Sequence, residues 1–183
     1  MNLTSRGTMD QPIQDFSECH VGIVGMLDDL TALSRRRDTE PRQREVAGRI
    51  LKFFRDVVGP HHQEEETELF SAVLADATSG DDRVTVEVLV SRLEGEHQRV
   101  EGLFAQLAPV LSAIESGGDM SLDATVAGEL ATEYLAHARF EEEVFLPLAQ
   151  TILGRNSDHM AALGLALHIR HAAEDVRRKF GFI

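Results

Sequence analysis

Three features of the sequence predict an all-α protein, an antiparallel up-down-up-down four-helix bundle with an additional C-terminal helix. Apolar residues recur at threes and fours over four long stretches, Pro- and Gly-containing breaks separate those stretches, and the composition disfavours sheet. There is no Trp and only one Tyr, while Ala, Leu, Glu and Val are plentiful. The length of 183 residues suits one domain with a sizeable core.

Residues 1–9 are polar and unpatterned and read as a flexible tail, with Met9 an alternative start. From about Pro12 to Arg37, Phe16, Ile23, Met26, Leu27, Leu30 and Leu33 mark a first amphipathic helix. Asp38-Thr39-Glu40-Pro41 ends it, and Pro41 suits the first turn of a second helix running to about Ala77. Gly59-Pro60 inside that helix predicts a kink just ahead of two histidines. After Ser79-Gly80-Asp81-Asp82, Val86, Leu89, Leu93, Val100, Leu103, Leu107 and Leu111 mark a third helix, bent at Pro109 and ended by Gly117-Gly118. A fourth runs from about Ser121, as N-cap, to Leu153, with Pro147 inside and Gly154 as its stop. The bundle thus occupies 10–154. The accessory segment 155–183 holds a shorter helix, about Asp158 to Lys179, free to pack on its own bundle or, in a homodimer, on a neighbour's.

Composition also excludes classes of function. Lys and Arg number 18 against 31 Asp and Glu, a net charge of −13, and the longest basic run is Arg35-Arg36-Arg37, so a phosphate backbone is repelled. The single Cys19 excludes an intramolecular disulfide and a thiolate zinc cage. No stretch of about 20 apolar residues and no apolar signal core are present, which predicts a cytoplasmic protein that neither spans nor binds a membrane.

The histidines carry the functional signal. Five of the eight have Asp or Glu four residues on, where chance gives about 1.4. They are His61/Glu65, His62/Glu66, His97/Glu101, His137/Glu141 and His171/Asp175, each pair on one helix face. Any one of them alone reads as a surface ion pair; their register argues otherwise. PHHQEEETELF and AHARFEEEVFL both contain His-x-x-x-Glu-Glu and lie 76 residues apart, while His20 and His97 lie 77 apart. The chain therefore reads as two similar helical hairpins, each giving a lone His and a His-x-x-x-Glu. In an antiparallel bundle this brings His20, His61, His97 and His137 to a common depth with Glu65 and Glu141. Such a layer is too costly to desolvate unless something satisfies it, and metal is the simplest answer. Imidazole and carboxylate donors without thiolate suit iron, manganese or zinc, and six donors exceed what one structural zinc needs.

With this pattern of H, HxxxE, H, HxxxE from about Phe16 to Ala149, the sequence resembles the hemerythrin-like, HHE cation-binding domain family. The resemblance implies two iron ions, a non-haem di-iron centre with oxo and carboxylate bridges, that binds dioxygen or a peroxide-like small ligand. Carried over by position, the ligands are His20, His61, Glu65, His97, His137 and Glu141. Oxygen-carrying hemerythrins have a second His four residues after the third-helix His, where this chain has Glu101. Either Glu101 ligates, giving a more carboxylate-rich site, or it faces away and leaves an open position. Some family members place a ligand at the position of His62, which is therefore a further candidate. Oxygen sensing, storage or detoxification is the leading function. An enzyme decomposing peroxide or reactive nitrogen species, and an iron reservoir or metal-responsive interaction module, are the alternatives.

The remaining histidines, His159, His168 and His171, read as structural or surface residues, Cys19 as a packed small side chain, and Tyr134 as core sharing the face of His137. Glu64, Glu66, Glu68, Glu142, Glu143, Asp28 and Asp29 read as solvated faces.

Overall fold

A computed structural model describes residues 12–35, 40–155, 158 and 163. They are helical apart from short links, with no strand among them. Helix α1 is Pro12–Ser34. Helix α2 continues without leaving helical backbone through Glu40–Phe53, Phe54–Val58, Gly59–Glu64, Glu65–Phe70 and Ser71–Asp76. Helix α3 is Gly80–Glu115, and α4 runs through Ala124–Phe140, Glu141–Phe145 and Leu146–Leu153. Helix α1 packs on α2 and α4, and α3 packs on the same two, closing a four-helix ring. The tail, most of the expected fifth helix with His159, His168 and His171, and the side chain of Cys19 lie outside the described residues.

Local chemistry explains the boundaries. Ser79 caps α3 by accepting from Asp82 N at 3.1 Å, and Gly117, at φ 88°, supplies the left-handed residue that follows its last turn. The fourth helix starts later than Ser121. Asp123 is its N-cap, with Oδ1 accepting from Thr125 N at 2.8 Å and Val126 N at 3.3 Å. Leu122 just before it and Ala127 in the first turn are buried in the same core cluster, a hydrophobic staple that fixes this entry point.

The break expected at Pro60 takes the form of a π segment, Phe54–Val58, after which Gly59 N–H bonds to Phe54 O, five residues back. Pro60 lacks an N–H and crowds the carbonyl four residues earlier, so a wider turn just ahead relieves both problems. The same device precedes Pro147, where Leu146 N–H bonds to Glu141 O across Glu141–Phe145.

Two apolar layers result. One contains Ile23 and Leu30 of α1, Ile50 and Val58 of α2, Val100 and Leu107 of α3, and Leu130 and Tyr134 of α4. The other contains Leu69 and Val73 of α2, Val90 and Leu93 of α3, and Phe145 and Ile152 of α4, with Leu163. On α2, α3 and α4 the gaps between the layers fall at 59–68, 94–99 and 139–144; His61, His62, Glu65, His97 and Glu141 lie within them, and His137 stands just ahead of the last.

Candidate metal centre

The layer between the two cores is polar and buried. His20, His61, His62, Glu65, His97, His137 and Glu141 are each less than 5% exposed. They come from all four helices and form two groups, within each of which the ligand atoms lie within 4.8 Å of one another. One group is His20, His61, Glu65 and Glu141; the other is His62, His97 and His137. Two donors on opposite sides of one ion stand about 4.3 Å apart, so each group is near the spacing that a single cation would draw in.

Glu65 straddles the groups. Its Oε1 is 3.0 Å from His61 Nε2 and its Oε2 3.3 Å from His97 Nε2. Glu141 behaves alike, with Oε2 3.4 Å from His20 Nε2 and 3.6 Å from His137 Nε2. His20 Nε2 and His61 Nε2 face each other at 3.2 Å, and the His62 ring stacks on His97 with centroids 4.0 Å apart.

The imidazoles are aimed from behind. His20 Nδ1 donates to Glu142 Oε1 at 3.0 Å, His62 Nδ1 to Glu101 Oε1 at 3.1 Å, His97 Nδ1 to Glu66 Oε1 at 2.8 Å and His137 Nδ1 to Glu96 Oε2 at 3.1 Å. A carboxylate only accepts, so each Nδ1 carries the proton, and Nε2 of the neutral His62, His97 and His137 turns a lone pair inward. This is the arrangement in which an outer carboxylate fixes the tautomer and basicity of a metal-bound histidine. Nε2 of His62, His97 and His137 and both oxygens of Glu141 are buried without a hydrogen bond, which a bundle tolerates poorly unless another group satisfies them. The donor set therefore fits metal cations.

Burial holds most of these imidazoles neutral. It pushes His61 well below its ordinary value, helped by the neighbouring His20, and pushes His62 down to about 2 and His97 to about 3. Burial lowers His137 too, partly offset by Glu141 and Glu96. For His20, burial is outweighed by Glu141 and Glu142, and the imidazole is raised. A stability prediction follows for the metal-free protein. His62 and His97 protonate near 6.5 in the unfolded chain but not in the folded one, so their contribution holds above that pH and is lost below it. The loss is about 1.4 kcal/mol per pH unit for each such group, with His20 acting in the opposite sense. The melting temperature of metal-free protein is expected to fall between pH 7 and pH 5; a flat or rising profile contradicts this.

The six ligands carried over by position are all brought together, and His62 joins them. Glu101 stands outside both groups, its side chain 56% exposed and bonded to His62 Nδ1. Glu66 and Glu142, read as solvated from sequence, instead steady His97 and His20 while keeping an edge in solvent. Glu96, part of the Glu96-His97 step of the family pattern, has no role of its own in the sequence reading; it sits immediately before His97 yet reaches across to His137 on α4. Glu64, also read as solvated, is buried. The missed signal was the second Glu of His-x-x-x-Glu-Glu. Glu66 with His97 and Glu142 with His20 are one pairing made twice, each time from one half of the repeat to the other.

Fold and site together define a metal-binding helical bundle. The hemerythrin HHE cation binding domain matches residues 11–149, and the chain belongs to that family. Neither a curated protein nor a solved structure matches it. No helix among the described residues is long and apolar enough to cross a membrane.

Proposed function

We propose that the polar layer holds two iron ions and binds dioxygen or a related small ligand, for sensing, storage or detoxification. The observation that carries this is Glu65, whose two oxygens reach separate donor groups. One ion would take His20 and His61, the other His62, His97 and His137, with Glu65 and Glu141 shared. His62 then supplies the third imidazole of its group, and Glu101 serves as its outer partner rather than a ligand. Thiolate-free imidazole and carboxylate donors suit iron, and the family is one of cation-binding domains.

A bound pair of redox-active ions supplies electrons and an open coordination position. The chain does the rest. Glu66, Glu96, Glu101 and Glu142 hold four imidazoles in one tautomer, so the donors need no reorganisation when a ligand arrives. The apolar layers above and below keep bulk water and its protons away. With Glu65 and Glu141 shared, the group of His20 and His61 has one imidazole fewer than the other, so an incoming ligand is expected there.

A second reading, turnover of peroxide, is favoured by Tyr134. It is fully buried, with its ring 5.8 Å from His62 and 5.6 Å from His137, which puts a phenol beside the donors. A spectrum recorded in air, after dithionite and after re-exposure to oxygen separates the readings. A charge-transfer band that bleaches and returns supports reversible binding, and steady oxygen evolution from peroxide supports turnover. Protein that takes up no iron even under anaerobic ferrous reconstitution overturns both.

A further inference from the structure

We propose that the groove between α1 and α4 is the entry route by which a small ligand reaches the metal layer. This rests on the function proposed above. The groove has a volume of about 690 Å³ and is lined by His20, Val24, Leu135, Ala136, Ala138 and Glu142, with Thr132 and Arg139 at its sides.

Three observations converge on it. It reaches the metal layer, because His20, itself one of the donors, lines it together with Glu142, to which His20 Nδ1 is hydrogen-bonded at 3.0 Å. It lies on the side of the group of His20, His61, Glu65 and Glu141, which has one imidazole fewer than the other. Its walls are apolar and short. Val24 and Leu135 remain 37% and 45% exposed, and Ala136 and Ala138 carry only a methyl group where a larger residue would fill the space.

The opposite face differs in charge. Above His62 and His97 stand Glu101 and Glu66, which repel an anion, whereas the groove is lined by one acid, Glu142, and one base, Arg139, which lies 3.9 Å from Glu143. The groove is therefore less acidic than the face above His62 and His97, and a small neutral or singly negative ligand meets less repulsion there.

An obstruction on a route raises the barrier equally in both directions. It slows association and dissociation together and leaves the equilibrium constant alone, which damage to the metal layer would not do. The test is stopped-flow azide binding to iron-loaded protein, comparing wild type with Leu135→Trp and Ala136→Trp. Val88→Trp, at a 64% exposed position of α3 far along the sequence from the groove, is the control. Both groove variants are expected to lower association and dissociation rates by about tenfold with the dissociation constant within about twofold of wild type, and the control to change neither. Unchanged rates in the groove variants, or weakened affinity with unchanged association, overturn the route. A wild type that gives no azide-dependent band overturns the metal reading and the route with it.

Discussion

The Glu65→Gln variant is expected to lose metal from both groups at once. Gln has the shape of Glu, so no cavity forms, but it has no charge and only one oxygen to offer. Glu65 is fully buried and lies 3.0 Å from His61 Nε2 and 3.3 Å from His97 Nε2, so this one substitution removes a shared donor. Loss of an outer partner alone weakens metal binding by about ten- to a hundredfold, and loss of a shared ligand should exceed about a hundredfold at each position. Glu101→Gln is the matched comparison, since that side chain is 56% exposed and meets only the back of His62. It should keep both ions, with any weakening confined to the His62 group. Metal analysis of the two variants checks this. Full metal in Glu65→Gln, or its loss in Glu101→Gln alone, contradicts the assignment.

Removing the metal is expected to lower the melting temperature by at least about 15 °C. The layer between the apolar cores holds five imidazoles and two carboxylates, several with polar atoms that no hydrogen bond satisfies. An ion present at about a thousand times its dissociation constant adds about 4.1 kcal/mol, and two add about 8. At about 2–4 °C per kcal/mol for a domain of this size, the difference is roughly 16–32 °C. Calorimetry before and after dialysis against a chelator, then after ferrous reconstitution, measures it. A change below about 3 °C would mean that the layer is stable by itself.

The bundle and its donors were legible because both rest on local periodicity. Breaks at Asp38 to Pro41, Ser79 to Asp82 and Gly117-Gly118 delimit the helices, and the 76- and 77-residue intervals register the two hairpins. The π segments were not legible, although their trace is in the sequence. Ile50, Phe54, Val58 and His62 form a buried stripe with a step of four, as do His61, Glu65, Leu69 and Val73, and His137, Glu141, Phe145 and Ala149. A step of four overshoots an α-helical turn by about 40°, so a regular helix would carry these stripes out of the core. The wider turns at Phe54–Val58, Glu65–Phe70 and Glu141–Phe145 take up the excess and keep the donors facing inward.

The outer carboxylates escaped for a different reason. Glu66 and Glu142 have side chains 41% and 36% exposed, and a helical wheel assigns such positions to solvent. Their role comes from reach across to the next helix, which no single-helix pattern encodes. Glu101 shows the same limit, because its spacing of four from His97 suggests a shared target, whereas its carboxylate turns to His62 on α2. His62 gains its place by stacking on His97, a contact between α2 and α3.

The most direct test of the central claim is the number of metal ions per chain, measured by mass spectrometry on protein purified without added metal and again after anaerobic ferrous reconstitution. Two irons per chain are expected in the reconstituted protein, held by donors that Glu65 and Glu141 join. A saturating value of one, or none, would contradict the paired site.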